Sequence, residues 1–186
     1  MPRLLPLASA TLVVAVLAAC ASAPAPSTTP AQAIPAALQP AAGQTLLKVV
    51  AARGVQIYEC RAKKDAAGAV TAATEWAFVA PEAELLDTSG QVVGKHYAGP
   101  HWEAKDGSKI KGAVKARADA PQAGAIPWLL LATESVGPAG AYARVISIQR
   151  VNTVGGAAPA TPCGATELGQ QARVPYTADY RLFVAG

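Results

Sequence analysis

Two histidines and two acidic residues stand close together in one stretch of the chain, residues 94–112, GKHYAGPHWEAKDGSKIKG. His96, His101 and Glu103 carry the donor atoms of transition-metal sites, imidazole nitrogen and carboxylate oxygen. The same groups, together with Asp106, are of the types that act as general acids and bases. Trp102 adds an apolar ring with a polar N–H at its edge, a combination suited to lining a small pocket. His96, His101, Trp102, Glu103 and Asp106 are therefore the candidate binding site.

The spacing limits what these residues can do. Successive side chains on a strand point to opposite faces, so His101 and Glu103 share a face and His96 has the opposite parity. Gly99-Pro100 interrupts the strand, because proline lacks the ladder donor and glycine tolerates angles other residues avoid. The expectation is that this break resets the parity and lets His96 approach His101. Two readings compete with a binding site here. One is a metal-dependent enzyme built on His96, His101 and Glu103, and the other is a structural corner whose histidines bond to the backbone. Three ligands at irregular spacing do not form a metal motif, so no metal and no other cofactor is assigned. The chain has no Gly-x-Ser-x-Gly elbow, no His-Glu-x-x-His and no phosphate loop, and no catalytic residue is assigned. A non-enzymatic binding or accessory module is the leading expectation.

The elements that must position these residues read as β-structure. Residues 46–52 and 55–61 are rich in branched side chains with Gly54 between them, although 46–52 also suits one or two helical turns. Residues 74–80 alternate large and small. Asp87-Thr88-Ser89-Gly90 and Lys105-Asp106-Gly107-Ser108 sit between apolar runs and predict hairpin turns. Residues 128–133 are continuously apolar, as a strand buried on both faces would be. Further strands are expected over 142–151 and 180–184, with a loop rich in Gly and Pro at 155–162. About eight short strands and no long amphipathic helix predict an all-β single domain, residues 45–186, as an antiparallel sandwich or an open barrel. Trp76 and Trp128 are expected in its core, and Trp102 in either the core or a pocket.

The start of the chain is an address. Arg3 gives a short positive region, and an apolar run follows that is too short for an ordinary transmembrane helix. It ends Leu17-Ala18-Ala19-Cys20, which resembles a bacterial lipobox. Residues 1–19 are then a lipoprotein signal peptide and Cys20 the lipidated N-terminus. Ordinary secretion with an accidental cysteine is the alternative. Several acyl chains, at about 0.8 kcal/mol per buried methylene, would anchor the chain stably. Ala21 after the cysteine, by resemblance to the sorting rule of enteric-type lipoproteins, points to the outer membrane, facing the periplasm. Residues 20–44 are rich in Pro and Ala and carry no charge, and read as a tether.

Lipidation of Cys20 would leave Cys60 and Cys163, an even pair in an oxidising compartment, which reads as a disulfide rather than two free thiols. Lys109, Lys111, Lys115 and Arg117 share one parity, opposite Ile110, Val114, Ala116 and Ala118. That predicts a basic outer face over an apolar inner one. With a formal net charge of +4, this face could meet an anionic envelope component, or serve only as a solvated surface. Besides the membrane, the expected partners are such a component or a small ligand. Nucleic acid is not expected for an exported chain.

Several segments taken in order resemble the domain of unknown function 3455 family of exported bacterial and fungal proteins. They include Gly54-Val-Gln-Ile-Tyr-Glu-Cys60, Gly94-Lys-His-Tyr-Ala-Gly-Pro-His-Trp102, Asp106-Gly-Ser108, Ile126-Pro-Trp-Leu-Leu-Leu131, Ile148-Gln-Arg150, Gly155-Gly156 and Val174-Pro-Tyr-Thr-Ala178. The resemblance covers about residues 46–184. It implies one exported domain and brings no activity, cofactor or site residue with it.

The lipidation reading has a direct test. Cys20→Ser is expected to leave the protein without lipid and outside the membrane pellet, and fractionation unchanged from wild type would refute it.

Overall fold

The structure is a computed structural model that describes residues 32–186. The expected signal peptide, Cys20 and residues 20–31 of the expected tether lie outside the described residues. Eight strands follow one another: β1 (Gln44–Lys64), β2 (Val70–Leu86), β3 (Val92–Tyr97), β4 (His101–Ala104), β5 (Lys109–Ala118), β6 (Trp128–Ser135), β7 (Ser147–Gly155) and β8 (Gln171–Ala185). Each pairs antiparallel with the next, and β8 returns to β1, so the order closes into a barrel. The all-β class and the strand number are those expected from sequence. The arrangement is a single sheet, and of the barrel kind, but it is closed. The β1–β8 ladder runs from Gln44↔Ala185 to Glu59↔Gln171 and joins the last strand to the first.

Several elements are longer than their local signals. β1 runs for 21 residues straight through Gly54. A Cβ on Gly54 would overlap the Glu82 carbonyl and the Ala83 backbone, so this glycine permits close strand approach and does not mark a turn. Residues 46–52 are strand throughout. Residues 142–146 are turn and irregular chain, with β7 starting only at Ser147. Tyr142 and Val145 still enter the core there.

The inward positions follow strand parity. Val50 and Ala52 of β1, Leu85 of β2, Trp102 of β4, Ile110 of β5, Leu131 of β6, Ile148 of β7 and Tyr176, Tyr180 and Leu182 of β8 form one central cluster. A second cluster lies on the opposite face of β5, β6 and β7. There Leu38, in a short 3-10 turn (Ala36–Leu38), packs with Trp128 and Val151, and the Gln149 Nε2 donates to the Leu38 carbonyl at 2.5 Å. Residues 34–38 have the composition of the expected tether, yet Leu38 is fully buried against the barrel wall. Continuous apolarity over 128–133 thus has a cause: β6 is covered inside by the core and outside by this turn.

The three tryptophans differ in surroundings. Trp102 is inside the barrel, Trp128 is buried in the outer cluster, and Trp76 is only partly buried. The expected core role of Trp76 gives way to a cover role, since its indole N–H donates to the Thr161 carbonyl of the loop before Cys163. That loop is pinned by the Cys60–Cys163 disulfide, and Thr74 hydroxyl donates to the Cys163 carbonyl.

The disulfide spans 103 residues of sequence. Closing so long a loop removes denatured-state entropy worth about 4–5 kcal/mol by chain statistics. Replacing Cys60 and Cys163 together by serine is expected to lower the unfolding free energy by about 2–5 kcal/mol. Equilibrium denaturation measures this directly, and no loss would show that the bridge contributes nothing to the fold.

Candidate functional site

The hairpin of β3 and β4 turns at Ala98-Gly99-Pro100, with Gly99 at φ 99°. It pairs His96 with Trp102 and Tyr97 with His101. The Gly99-Pro100 break is therefore the turn itself and does not reset parity. His96 and Trp102 face into the barrel, while Lys95, Tyr97, His101 and Glu103 lie on the outer face.

The inner pair is tightly held. The His96 ring stacks on Trp102 with centroids 4.1 Å apart and 14° between planes, and its other neighbour is the Tyr180 ring, edge-on at 5.2 Å. Trp102 needs room for its indole, which Gly112 provides: a Cβ there would press on the Trp102 ring and Leu131. His96 Nδ1 lies 2.8 Å from the His101 carbonyl oxygen. A carbonyl only accepts, so Nδ1 carries the proton and Nε2 is left as an acceptor. Burial pushes the His96 pKa down to about 3, against the raising effect of that hydrogen bond.

The outer residues form a separate group. The Tyr97 hydroxyl donates to Glu103 at 2.6 Å, and Lys95 pairs with Glu103 at 3.2 Å. The Tyr97 bond, followed by the Lys95 charge, holds the Glu103 carboxyl below its usual range, and the same bond lifts Tyr97 to about 12. His101 Nδ1 bonds the Ala98 carbonyl at 2.7 Å and its ring stacks against Tyr97. Among the described residues no three His, Cys, Asp or Glu side chains gather as a metal-ion site.

Asp106 has a structural task. Its Oδ1 accepts from the Ser108 hydroxyl at 2.6 Å and the Ser108 N–H at 3.0 Å, and its Oδ2 accepts from the Ala141 N–H at 2.7 Å. Ser108 Oγ accepts in turn from the Tyr142 N–H. These bonds depress the Asp106 pKa, Ser108 first, and fasten the β4–β5 turn to the segment that inserts Tyr142 into the core.

The inner pair lines something larger. The barrel interior holds a cavity of about 510 Å³ whose walls include His96, Trp102, Gln56, Arg150, Tyr180 and Leu131. Tyr58, Phe78, Val79, Val114, Pro127 and Arg117 also line it. Phe78 and Val114 are more than half exposed and offer apolar surface to solvent. Two strand irregularities shape this rim. At Val79 the β1–β2 register shifts, with Ile57 opposite Ala80 and Tyr58 opposite Phe78. At Lys115 the β5–β6 register shifts, with Val114 opposite Leu131 and Ala116 opposite Leu130. An extra residue reverses the parity beyond it. The four-residue basic face expected on β5 is corrected accordingly. Lys109, Lys111 and Lys115 stay outside, Arg117 joins the cavity wall, and Ala116 and Ala118 pack in the outer cluster.

Sequence reasoning found His96 and Trp102 and missed Gln56, Arg150 and Tyr180. A signal existed for two of them. Gln56 has the parity of Val50, Ala52 and Tyr58, and Arg150 that of Ile148, so each is a polar residue at an inward position.

A buried neutral histidine has a consequence for acid stability. Unfolded His96 binds a proton as pH falls through about 6.5, while the folded side chain resists until about 3. Its contribution is therefore lost progressively below pH 6.5, at about 1.4 kcal/mol per pH unit. Wild-type unfolding free energy is expected to fall by up to about 2 kcal/mol between pH 7 and pH 5. His96→Phe keeps a flat ring against Trp102 and should flatten that slope. Equal slopes in the two proteins would show that His96 does not drive it.

Residues 40–184 match the family described as "Protein of unknown function (DUF3455)". No curated protein and no solved structure matches the chain. The family match spans most of the 186 residues and nearly the whole barrel, and the chain is a member of this family of proteins of unknown function.

Proposed function

We propose that the barrel is a non-enzymatic binding module that holds a small, largely apolar ligand in its interior, and that Cys20 tethers it by lipid to the cell envelope. One observation carries the binding reading: the cavity of about 510 Å³ inside the ring of strands. That volume is in the range of small-molecule sites, and small barrels of eight strands have interiors that either fill with side chains or hold one ligand. Here the inward positions are only partly filled by large side chains. The large rings of His96, Trp102 and Tyr180 gather along one part of the wall. The walls combine leucine, proline, phenylalanine and valine with a few fixed polar groups, the makeup of a site that binds an apolar body and orients it.

The anchor reading rests on the lipobox-like end of the leader and on the uncharged Pro/Ala-rich residues behind it. A lipid-anchored module of this kind would work at the outer-membrane surface facing the periplasm, holding or passing on a molecule that is poorly soluble in water.

Occupancy of the cavity can be read with an uncharged naphthylamine dye whose emission rises in apolar surroundings. The dye is expected to bind the purified chain at one site and to draw energy from tryptophan, since Trp102 lines the cavity. Val114→Trp puts a large ring at an exposed rim position and is expected to weaken binding at least tenfold without lowering the melting temperature. Dye binding unaffected by Val114→Trp would place the site elsewhere and overturn the reading.

A further inference from the structure

We infer that the cavity recognises an amphipathic monocarboxylate, with the carboxylate received by Arg150, Gln56 and Trp102 and the apolar body running past Leu129 and Val114 to the mouth. This rests on the binding reading above and names the chemistry of its ligand.

The charge of the cavity is one-sided. Arg150 and Arg117 line it and no aspartate or glutamate does. The ion pairs among the described residues join Arg53 with Glu84, Arg61 with Glu59, Lys95 with Glu103 and Arg173 with Glu82, so Arg150 has no carboxylate partner there. Its Nε and Nη2 both donate to the Pro127 carbonyl, at 3.0 and 2.9 Å, which fixes the guanidinium plane and leaves other N–H groups for a ligand. Tyr58, His96 and Tyr180 share the cavity wall with this cation. A cation within an apolar wall, held in place and without a counter-ion, is a receptor for an anion.

Two buried donors point the same way. Gln56 and Trp102 are each 2% exposed and both line the cavity, and neither Gln56 Nε2 nor Trp102 Nε1 has a hydrogen-bond partner. The Gln56 amide bears on the Tyr176 hydroxyl without reaching normal hydrogen-bond geometry. A buried donor left unmade costs about 1–3 kcal/mol, and a ligand in the cavity would supply the acceptors. A carboxylate has two oxygens with about four acceptor positions, matching the two N–H groups and the free edge of one guanidinium.

The number of charges favours one anionic charge over two. His96 shares the wall, but burial outweighs the effect of its bond to the His101 carbonyl and keeps it neutral near pH 7. Arg150, half-buried, is then the single cation beside the two buried donors, with Arg117 out at the exposed rim. A phosphate monoester, close to doubly charged at neutral pH, would be left with surplus negative charge among tyrosine and tryptophan rings. The aromatic groups Trp102, Tyr180 and Tyr58 and the aliphatic Leu129, Leu131 and Val114 suit a ring or chain attached to the acid.

The test uses matched ligands on the purified full chain, with tryptophan emission and calorimetry as readouts. Naphthoate, octanoate and dodecanoate are compared with the corresponding primary amides and phosphate monoesters. The acids are expected to bind at least tenfold more tightly than the amides and more tightly than the phosphates. Arg150→Met keeps the volume and removes the charge, and should erase the preference for acid over amide. Arg150→Lys keeps a charge in the same wall and should retain part of it. If Arg150→Met does not fold, Gln56→Leu replaces it and is expected to narrow the same preference. Acids and amides binding wild type equally would overturn the carboxylate assignment while leaving the cavity as a binding site. Phosphates binding more tightly than acids would overturn it in favour of a dianion. Dye binding blocked by Val114→Trp, with none of these acids bound, would also overturn it, whereas loss of dye binding altogether would instead defeat the cavity reading.

Discussion

The pairing of β8 with β1 is the interaction on which everything else depends. Over residues 44–59 it joins the two ends of the sheet. Once the ring is closed, every strand has one inner and one outer face, and the backbone polar groups of the first and last strands satisfy each other. An open sheet of the same sequence would need a second layer to cover its apolar face, and the interior would be a packed seam. Closure lets part of the interior stay empty of side chains. The cavity is a consequence of the ring.

Within the ring, parity assigns each side chain to a side, and the irregularities decide where parity changes. One extra residue at Lys115 moves Arg117 to the cavity wall and sends Ala116 and Ala118 outward under Leu38. Without it, β5 would present a continuous basic stripe to solvent. The shift at Val79 places Phe78 and Val79 together on the cavity wall, with Phe78 edge-on to Tyr58 at 5.8 Å. The Gly99 turn does the opposite and preserves parity, which keeps His96 and His101 on different faces of the barrel. The residues that look most like chemistry in the sequence are therefore divided. His96 and Trp102 serve the interior, Glu103 and His101 an outer network with Tyr97, and Asp106 a hydrogen-bonded clasp.

The interior polar groups make sense only as a set. Arg150 is oriented by Pro127, His96 is kept neutral by burial, and Gln56 and Trp102 bring donors to the same cavity. Each alone is an unfavourable burial, and a hydrophobic replacement would stabilise the barrel more cheaply. Their convergence on one space is what the proposed binding reading rests on.

By itself the sequence determined the all-β class, the two hairpin turns at 87–90 and 105–108 and the pairing of Cys60 with Cys163. These are local or nearly exclusive signals: turn residues with fixed backbone preferences, alternation of period two, and an even number of cysteines after Cys20 is set aside. Tertiary structure alone decided that the sheet closes, that β1 passes through Gly54 without turning, and that Leu38 belongs to the folded domain. It also decided that Arg117 faces inward and that Arg150 and Gln56 meet His96 around one cavity. A single extra residue in a strand leaves almost no trace in composition yet reverses every side chain beyond it. Residues 56, 96, 102 and 150 lie on four different strands, and only the closed register brings them to one place.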